Sequence, residues 1–391
     1  MDYSADAAPT MSSAPLLSAL IVNYNTAALT RDCVASLRTQ QLLRADGTSA
    51  ELEIIVVDNA SRPDERARLH DLDARVLFCD DNRGYGAALN LASAHARGEF
   101  LLFSNPDTWY FPNALQTLTS TWESLPQCGA VGPRLWWDRA RKFLLPPGDP
   151  VTLTTQVQAT MAQVWSWWEK QWEARWLRNA VQYWHAREPL VQRMLSGACI
   201  LTHREVLARC GGFDERFQLY YEDTDWCRRV RQHGYALYYV PTAEVAHLYN
   251  QSARQEHATA QQKFAESAVR YFHKHYGTWQ WRLISTLDSV RHARFNSPST
   301  LSDYQLLGPL TEPPQLFLET MEAGEYLFLI SPTSSCTPAI ARFAPTPHLS
   351  LSSVVWQQLG EGEFFVRLVS LPDLCVLRQW RWEKRHEKSG G

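Results

Sequence analysis

The sequence predicts an α/β open sheet with mainly parallel strands, followed by a smaller all-β region. Two features of the first half point to the sheet. Strand-like runs alternate there with helical stretches, and the runs are nearly continuous in apolar residues, as strands covered on both faces require. The third observation is a change of texture beyond residue 316, where short strand-like runs follow one another at roughly even spacing with turn residues between them. A length of 391 residues makes two domains the natural division.

The first strand is read in "SALIVNYN" (18–25), and Leu29, Cys33 and Leu37 then mark one face of a helix. Strands follow in "ELEIIVVDNAS" (51–61), "ARVLFCDDN" (74–82) and "EFLLFSNPD" (99–107), the last preceded by a helix-like "GAALNLASAHA". In sheets of this kind ligands bind beyond the carboxyl ends of the strands. Asn23, Asp58, Asn82 and Asp107 all stand at or just past those ends. Such a rim of acidic and amide groups suits a base, a ribose and a metal-bound phosphate. Taken singly, each also fits ordinary strand termination, because Asp and Asn favour turns. "NRGYGAALN" (82–90) is not a dinucleotide fingerprint, since the first strand is followed by "NTAALT" without a glycine-rich turn. Gly84 and Gly86 are expected to let the backbone approach a ligand or to start a helix.

In the second half "SGACILTHR" reads as a strand and "REVLARCGGF" as a short helix closed by glycine. "EDTDWCRRVRQHG" reads as a helix with acids in its first turn, and "YALYYVP" as a strand leading towards His247. The spacing of Asp225 and Arg229 fits a contact on a helix surface, and Asp223 fits an acid favoured by the helix dipole. An insertion, "VWSWWEKQWEARWLRNAVQYWHAREPL" (164–190), carries Trp165, Trp168, Trp172, Trp176 and Tyr183 at helical spacing. It has two readings: a peripheral membrane contact lying in the interface, or a lid or core helix packed on protein. Residues 253–295 read as helical segments broken at Gly277, where a solvated face accounts for Arg270 and Lys274 better than an approach to phosphate does. A Ser- and Pro-rich linker (296–315) precedes a predicted β-sandwich over 316–391, whose Trp380 and Trp382 suit either a sugar or a core.

The net charge of -3 gives no general attraction to nucleic acid, and no nucleic-acid partner is expected. Eight cysteines without a CxxC pair match neither a zinc site nor a small disulfide framework, and read as reduced, buried thiols. Residues 1–15 are polar, lack a positive n-region and read as a disordered tail. No apolar run reaches the length of about 18 residues that a membrane span needs. The expected location is therefore cytoplasmic, at the inner face of the membrane if the Trp-rich insertion meets lipid, and not secreted.

From Ser18 to the neighbourhood of Gly277, "IVNYN", "VVDNAS", "NRGYGAALN", "FSNPD", "SGACILTHREV", "GGFDERFQLYYEDTDWCRRVRQHGY" and "VPTAEVAHLY" occur in order. With these motifs the chain resembles the inverting family-two glycosyltransferases of the GT-A fold, in their rhamnosyltransferase-like branch. The resemblance implies a GT-A domain over 16–295 with an insertion at about 150–190. "NPD" stands where many GT-A enzymes have Asp-X-Asp, with Asn105 in place of the first Asp. Asp107 is thereby implied as the carboxylate that binds a divalent cation, Mn2+ or Mg2+, on the donor's diphosphate, and His247 as the second protein ligand. Asp58 is implied at the nucleobase, Asn23, Asn82, Arg83 and Asn105 along the rest of the donor, and Asp223 as the catalytic base. Ser196, Gly197, Ala198 and Glu222 are implied as an acceptor or pyrophosphate loop. The implied partners are a dTDP- or UDP-sugar, rhamnose among the sugars, and a glycan or lipid-linked acceptor.

The chemistry is coherent with those roles. A hard cation with oxygen ligands offsets the charge on a departing diphosphate, and one imidazole among the ligands tilts the choice towards manganese. A single carboxylate can take the acceptor's proton, and one base with in-line attack implies inversion. A nucleotidyltransferase would need a glycine-rich basic loop near the first strand, which "IVNYNTAALTR" lacks. A noncatalytic carbohydrate-binding or scaffold protein on a decayed transferase fold is the other class, and the presence together of Asp58, Asp107, Asp223 and His247 argues against it.

Overall fold

The computed structural model describes residues 14–248, 257–282, 285–286, 301–318, 324–371 and 373–385. All but the end of the expected tail, and the boundary expected near 295–296, lie outside these residues.

The α/β expectation is met. Strand β1 (Leu17–Asn23) is buried along its whole length, and β2 (Leu52–Asp58) along all but its first residue. Together with β3 (Arg75–Phe78) and β4 (Phe100–Ser104) they form a parallel block in the order β3-β2-β1-β4. Because β1 sits inside that block, successive connections leave it in opposite directions, which opens a crevice beyond its carboxyl end. Helices α1 (Ala27–Arg38), α2 (Pro63–Ala67) and α3 (Tyr85–His95) connect these strands. The face that α1 buries carries Cys33, Val34 and Leu37, while Leu29 is only half-buried.

The sheet then becomes mixed. Strand β5 (Thr108–Tyr110), helix α4 (Ala114–Ser124), β6 (Cys128–Trp136), β7 (Leu190–Gln192), β8 (Cys199–His203) and β9 (Ala236–His247) extend it to nine strands among the described residues. Strand β8 enters antiparallel to β4, pairing Ser104 with Cys199, and β5 lies antiparallel to β9, pairing Thr108 with His247. Two pairs of residues far apart in the sequence are thereby brought level.

The insertion between β6 and β7 is a pair of helices, α5 (Leu153–Val164) and α6 (Ser166–His185). The stripe that α6 buries is Trp176, Leu177, Ala180 and Trp184, against Leu327, Leu329, Ala341 and Phe365. The C-terminal half of α6 is thus a packed helix, whereas Trp165 and Trp167 remain 54% and 65% exposed. Its register differs from the expected face because the wall it meets is set by a distant part of the chain.

That wall is the C-terminal all-β region. Strands β10 (Gln305–Leu310), β12 (Glu325–Ser331), β13 (Ile340–Ala344), β15 (Gly362–Leu371) and β16 (Val376–Lys384) form a sheet in the order β10-β16-β15-β12-β13. A two-stranded pair, β11 (Gln315–Phe317) with β14 (His348–Ser350), and a short helix (Ser353–Gln358) accompany it. The region is one sheet buried on both faces: α6 covers one, and Leu316, Leu349 and Trp356 belong to the core on the other. Trp380 and Trp382 are buried, so of their two readings the core is the one realised. All eight cysteines are free, seven of them buried. Among the described residues no helix is long and apolar enough to cross a membrane.

Candidate functional site

The rim begins at the aligned ends of β1 and β2. Asn23 and Asp58 are register partners, and the Asn23 amide donates to Asp58 Oδ1 at 2.9 Å and to Ser61 Oγ at 3.0 Å. Thr26 and Thr30 donate back to Asn23 Oδ1 at 3.2 and 2.8 Å. Both side chains are buried, and Arg66 reaches Asp58 at 3.2 Å. Asn23 therefore holds Asp58 in place and has its own polar atoms occupied by the protein.

Next along the rim, Asn59 donates to Asn82 Oδ1 at 3.0 Å and accepts from the Arg83 amide at 2.9 Å. Asn82 also accepts from the Gly84 amide. Gly84 has φ 87°, and a Cβ there would stand 2.8 Å from the carbonyl oxygen of Gln218, so glycine is needed both for its backbone angle and for this close approach. The Arg83 side chain is exposed, 3.7 Å from Asp81.

At the end of β4 the chain turns through Asn105 and Asp107. Asn105 lies 3.3 Å from His247 Nε2, which is itself 3.3 Å from Asp107 Oδ1. Asp107 and His247 are nearly buried, and their meeting follows directly from the β5–β9 register. Among the described residues no group of three or more His, Cys, Asp or Glu side chains is placed to hold a metal. One carboxylate oxygen and one imidazole nitrogen fit a divalent cation that takes its remaining ligands from phosphates and water. The Asn105 backbone amide donates to the Ala198 carbonyl at 3.0 Å, which brings the Ser196–Ala198 loop alongside.

That loop meets the start of α8 (Glu222–Gln232), the helix that follows the short α7 (Arg204–Cys210). Asp223 Oδ2 accepts from the Gly197 amide at 3.0 Å, and Oδ1 from the Thr224 amide at 2.7 Å. Burial nevertheless pushes the Asp223 carboxyl up. Burial, and then the Asp223 charge, push Glu222 up to about 8. Two adjacent carboxyl groups facing little water cannot both ionise easily at neutral pH. Tyr85, which sequence reasoning passed over, connects the two halves. Its hydroxyl donates to Asn105 Oδ1 at 2.7 Å, and its phenol is pushed well up by burial and then by the charges of Glu222, Asp223 and Asp107.

Asp225 is unlike its neighbours. It is fully buried and paired with Arg229 at 2.8 Å, Lys274 at 2.6 Å and His275 at 2.7 Å. Burial pushes it up, but hydrogen bonds from His275, Lys274 and Arg229 outweigh that and hold it at about 2. The spacing that fits a surface contact is thus an interior one, and Lys274 is committed to Asp225 and Asp214. Arg270 donates to the backbone carbonyl of Arg216.

Every residue expected at the site takes part in this arrangement or lies in the loop beside it, Arg83 through its backbone amide alone. Asn59, Ser61, Tyr85 and Thr224 are additions. Asn59 and Ser61 lie within "VVDNAS" itself, and Tyr85 stands between two glycines, signals that a reading centred on acids and glycines did not use.

Residues 18–208 match the profile of the family described as Glycosyl transferase family 2. A curated Mycobacterium tuberculosis protein named N-acetylglucosaminyl-diphospho-decaprenol L-rhamnosyltransferase is 26% identical over 269 residues, 64% of this chain and 85% of that protein. The Myxococcus xanthus O-antigen biosynthesis protein RfbC is 29% identical over 216 residues, 51% of this chain and 15% of that protein. Among solved structures, the mannosyltransferase PcManGT from Pyrobaculum calidifontis, in complex with GDP-Man and Mn2+, aligns at 18% identity and a TM-score of 0.43. That alignment covers 77% of this chain and 81% of that one.

Proposed function

We propose, from the match of residues 18–208 to the family 2 glycosyltransferases, that the chain transfers a sugar, with inversion, from a nucleoside diphosphate to a hydroxyl of a glycan or lipid-linked acceptor. The observation that carries the proposal is the pairing of Asp107 with His247 and of Asp223 with the Gly197 amide, with the charges of both carboxylates felt at the Tyr85 phenol.

In this reading Asp58 accepts hydrogen bonds from the nucleobase, and Asn82, Arg83 and Asn105 bind the ribose and diphosphate. Asn23 contributes by fixing Asp58. Asp107 and His247 would hold Mn2+ or Mg2+, which when bound neutralises charge on the departing diphosphate. Asp223 takes the acceptor's proton as its oxygen attacks the anomeric carbon from the face opposite the diphosphate. Burial and the Asp223 charge push Glu222 up, which favours the proton on Glu222 and the negative charge of the pair on Asp223. The Ser196–Ala198 loop aims that charge through the Gly197 amide. The donor is a dTDP- or UDP-sugar, and the M. tuberculosis relative's name supports rhamnose and a diphosphate-linked lipid acceptor. With such an acceptor, the exposed Trp165 and Trp167 would meet the inner face of the membrane.

The test is thermal unfolding of wild type and Asp107→Ala with a panel of nucleoside diphosphates, each with and without Mn2+. At about 100 times the dissociation constant, a bound nucleotide adds roughly 2.7 kcal/mol. A metal-dependent rise in Tm for one pyrimidine diphosphate, absent in Asp107→Ala, is expected. A wild type that responds to none of them would overturn the proposal.

A further inference from the structure

The sequence "RRVR" on α8 contains three arginines, of which only Arg229 is committed to a carboxylate. Arg228 and Arg231 lie on another face of the helix, together with Thr224. All three line a cavity of about 180 Å3, whose wall also includes Arg193, Met194, Tyr271 and Tyr276. The guanidinium of Arg228 stands 4.4 Å from the Tyr276 ring centroid and donates to the Tyr271 hydroxyl. Arg231 donates to the backbone carbonyl of Arg193. Among the described residues no carboxylate pairs with Arg193, Arg228 or Arg231. Three like charges therefore line one cavity, Arg228 and Arg231 held there by aromatic rings and backbone and Arg193 exposed, an arrangement that favours entry of an anion. Burial, and then the charge of Arg193, push the Arg231 guanidinium down, in keeping with that crowding.

We propose that Arg193, Arg228 and Arg231 form a subsite for a phosphate or diphosphate carried by the acceptor. The inference rests on Asp223 being the base, because it takes its direction from Thr224. From Thr224, whose amide holds Asp223, the helix rises about 6 Å to Arg228 and about 10 Å to Arg231. An acceptor sugar with its hydroxyl at Asp223 thus extends its phosphate towards the arginines. Three guanidinium groups match the charge of a diphosphate better than that of one carboxylate, and their forks suit its oxygens. A neighbouring cleft of about 370 Å3 shares Pro150 and Arg193 with this cavity and adds Trp172, Asn179 and Tyr183. It gives the remainder of such an acceptor somewhere to lie.

The experiment measures binding of octyl diphosphate, inorganic pyrophosphate and octanol to wild type and to Arg193→Gln/Arg231→Gln by calorimetry in EDTA. Arg193→Glu serves as a second variant, since Arg193 is exposed and its replacement should leave folding intact. Octyl diphosphate should bind wild type, lose roughly tenfold to a hundredfold in affinity in both variants, and keep its affinity in Asp107→Ala. Octanol should not bind. Equal affinity in wild type and variants, or no binding by wild type, would overturn the subsite. Arginine-dependent binding of pyrophosphate with octyl diphosphate excluded would overturn its assignment to an acceptor and leave a free-anion site. Loss of octyl diphosphate in Asp107→Ala would assign the anion to the donor side and overturn the proposal as well. The response of the same samples to nucleoside diphosphate and Mn2+ tests the donor reading separately, so either can fail alone.

Discussion

At Gly197 one methyl group is enough to disturb the site. A Cβ there would stand 2.6 Å from Asp223 Oδ2, the oxygen that the Gly197 amide holds. Gly197→Ala should therefore move the carboxylate and lower kcat by about 10²-fold, with the thermal midpoint little changed. Steady-state kinetics beside a melting curve would check both halves. Glu222 makes a different statement, about stability. Its folded value of about 8 lies above the ordinary 4.5, so between those values the folded chain holds a proton that the unfolded chain has lost. Stability from this group is then greatest at low pH and declines as pH rises through that window. Glu222→Gln, permanently neutral, should gain in Tm over wild type progressively from about pH 5 to about pH 8. A constant difference across that range would remove the buried-proton account.

The elements around the site show where local sequence stops being informative. The entry to α8 places Tyr220 and Tyr221 in the left-handed region at φ 65° and 69°, each at a cost of about 1–2 kcal/mol. Packing offsets it: the Tyr221 ring lies 5.4 Å from Tyr271 of the helix α9 (His257–Tyr276). No spacing rule announces two aromatic residues in that conformation. The same holds for Asp225, whose i,i+4 partner was legible whereas Lys274 and His275 were not, because they arrive only when α9 packs on α8. Conversely, the succession of parallel strands along the first half and the acids and amides at their ends were legible, since buried parallel strands write themselves as apolar runs; their order in the sheet was not. Asp225→Asn should cost about 3–5 kcal/mol, the range for breaking a buried ion pair, measurable by denaturant unfolding. In wild type its contribution is full above 3.8 and disappears as pH falls towards about 2, the direction expected of a depressed carboxyl.

At the scale of the molecule, α6 is shared property. One stripe packs on the C-terminal sheet, Glu173 pairs with Arg367 of β15 at 2.7 Å, and Leu144 exchanges backbone hydrogen bonds with Ala341 at 2.8 and 2.9 Å. Ending the chain at residue 300 should expose Trp176, Leu177 and Trp184, and size-exclusion chromatography should show association or aggregation where the full chain gives a discrete peak. The aromatic spacing of the insertion was legible as a helix, but the sequence offered both lipid and protein as its cover. Other residues of that helix, Trp172, Asn179 and Tyr183, line the cleft next to the arginine cavity. The consequence is modular. A graft that exchanges the C-terminal sheet between relatives while leaving the insertion behind would pair a wall with the wrong buttress. The heritable unit is therefore discontinuous: residues 144–190 and the C-terminal strands must travel together, and a change in either half should be answered by a change in the other.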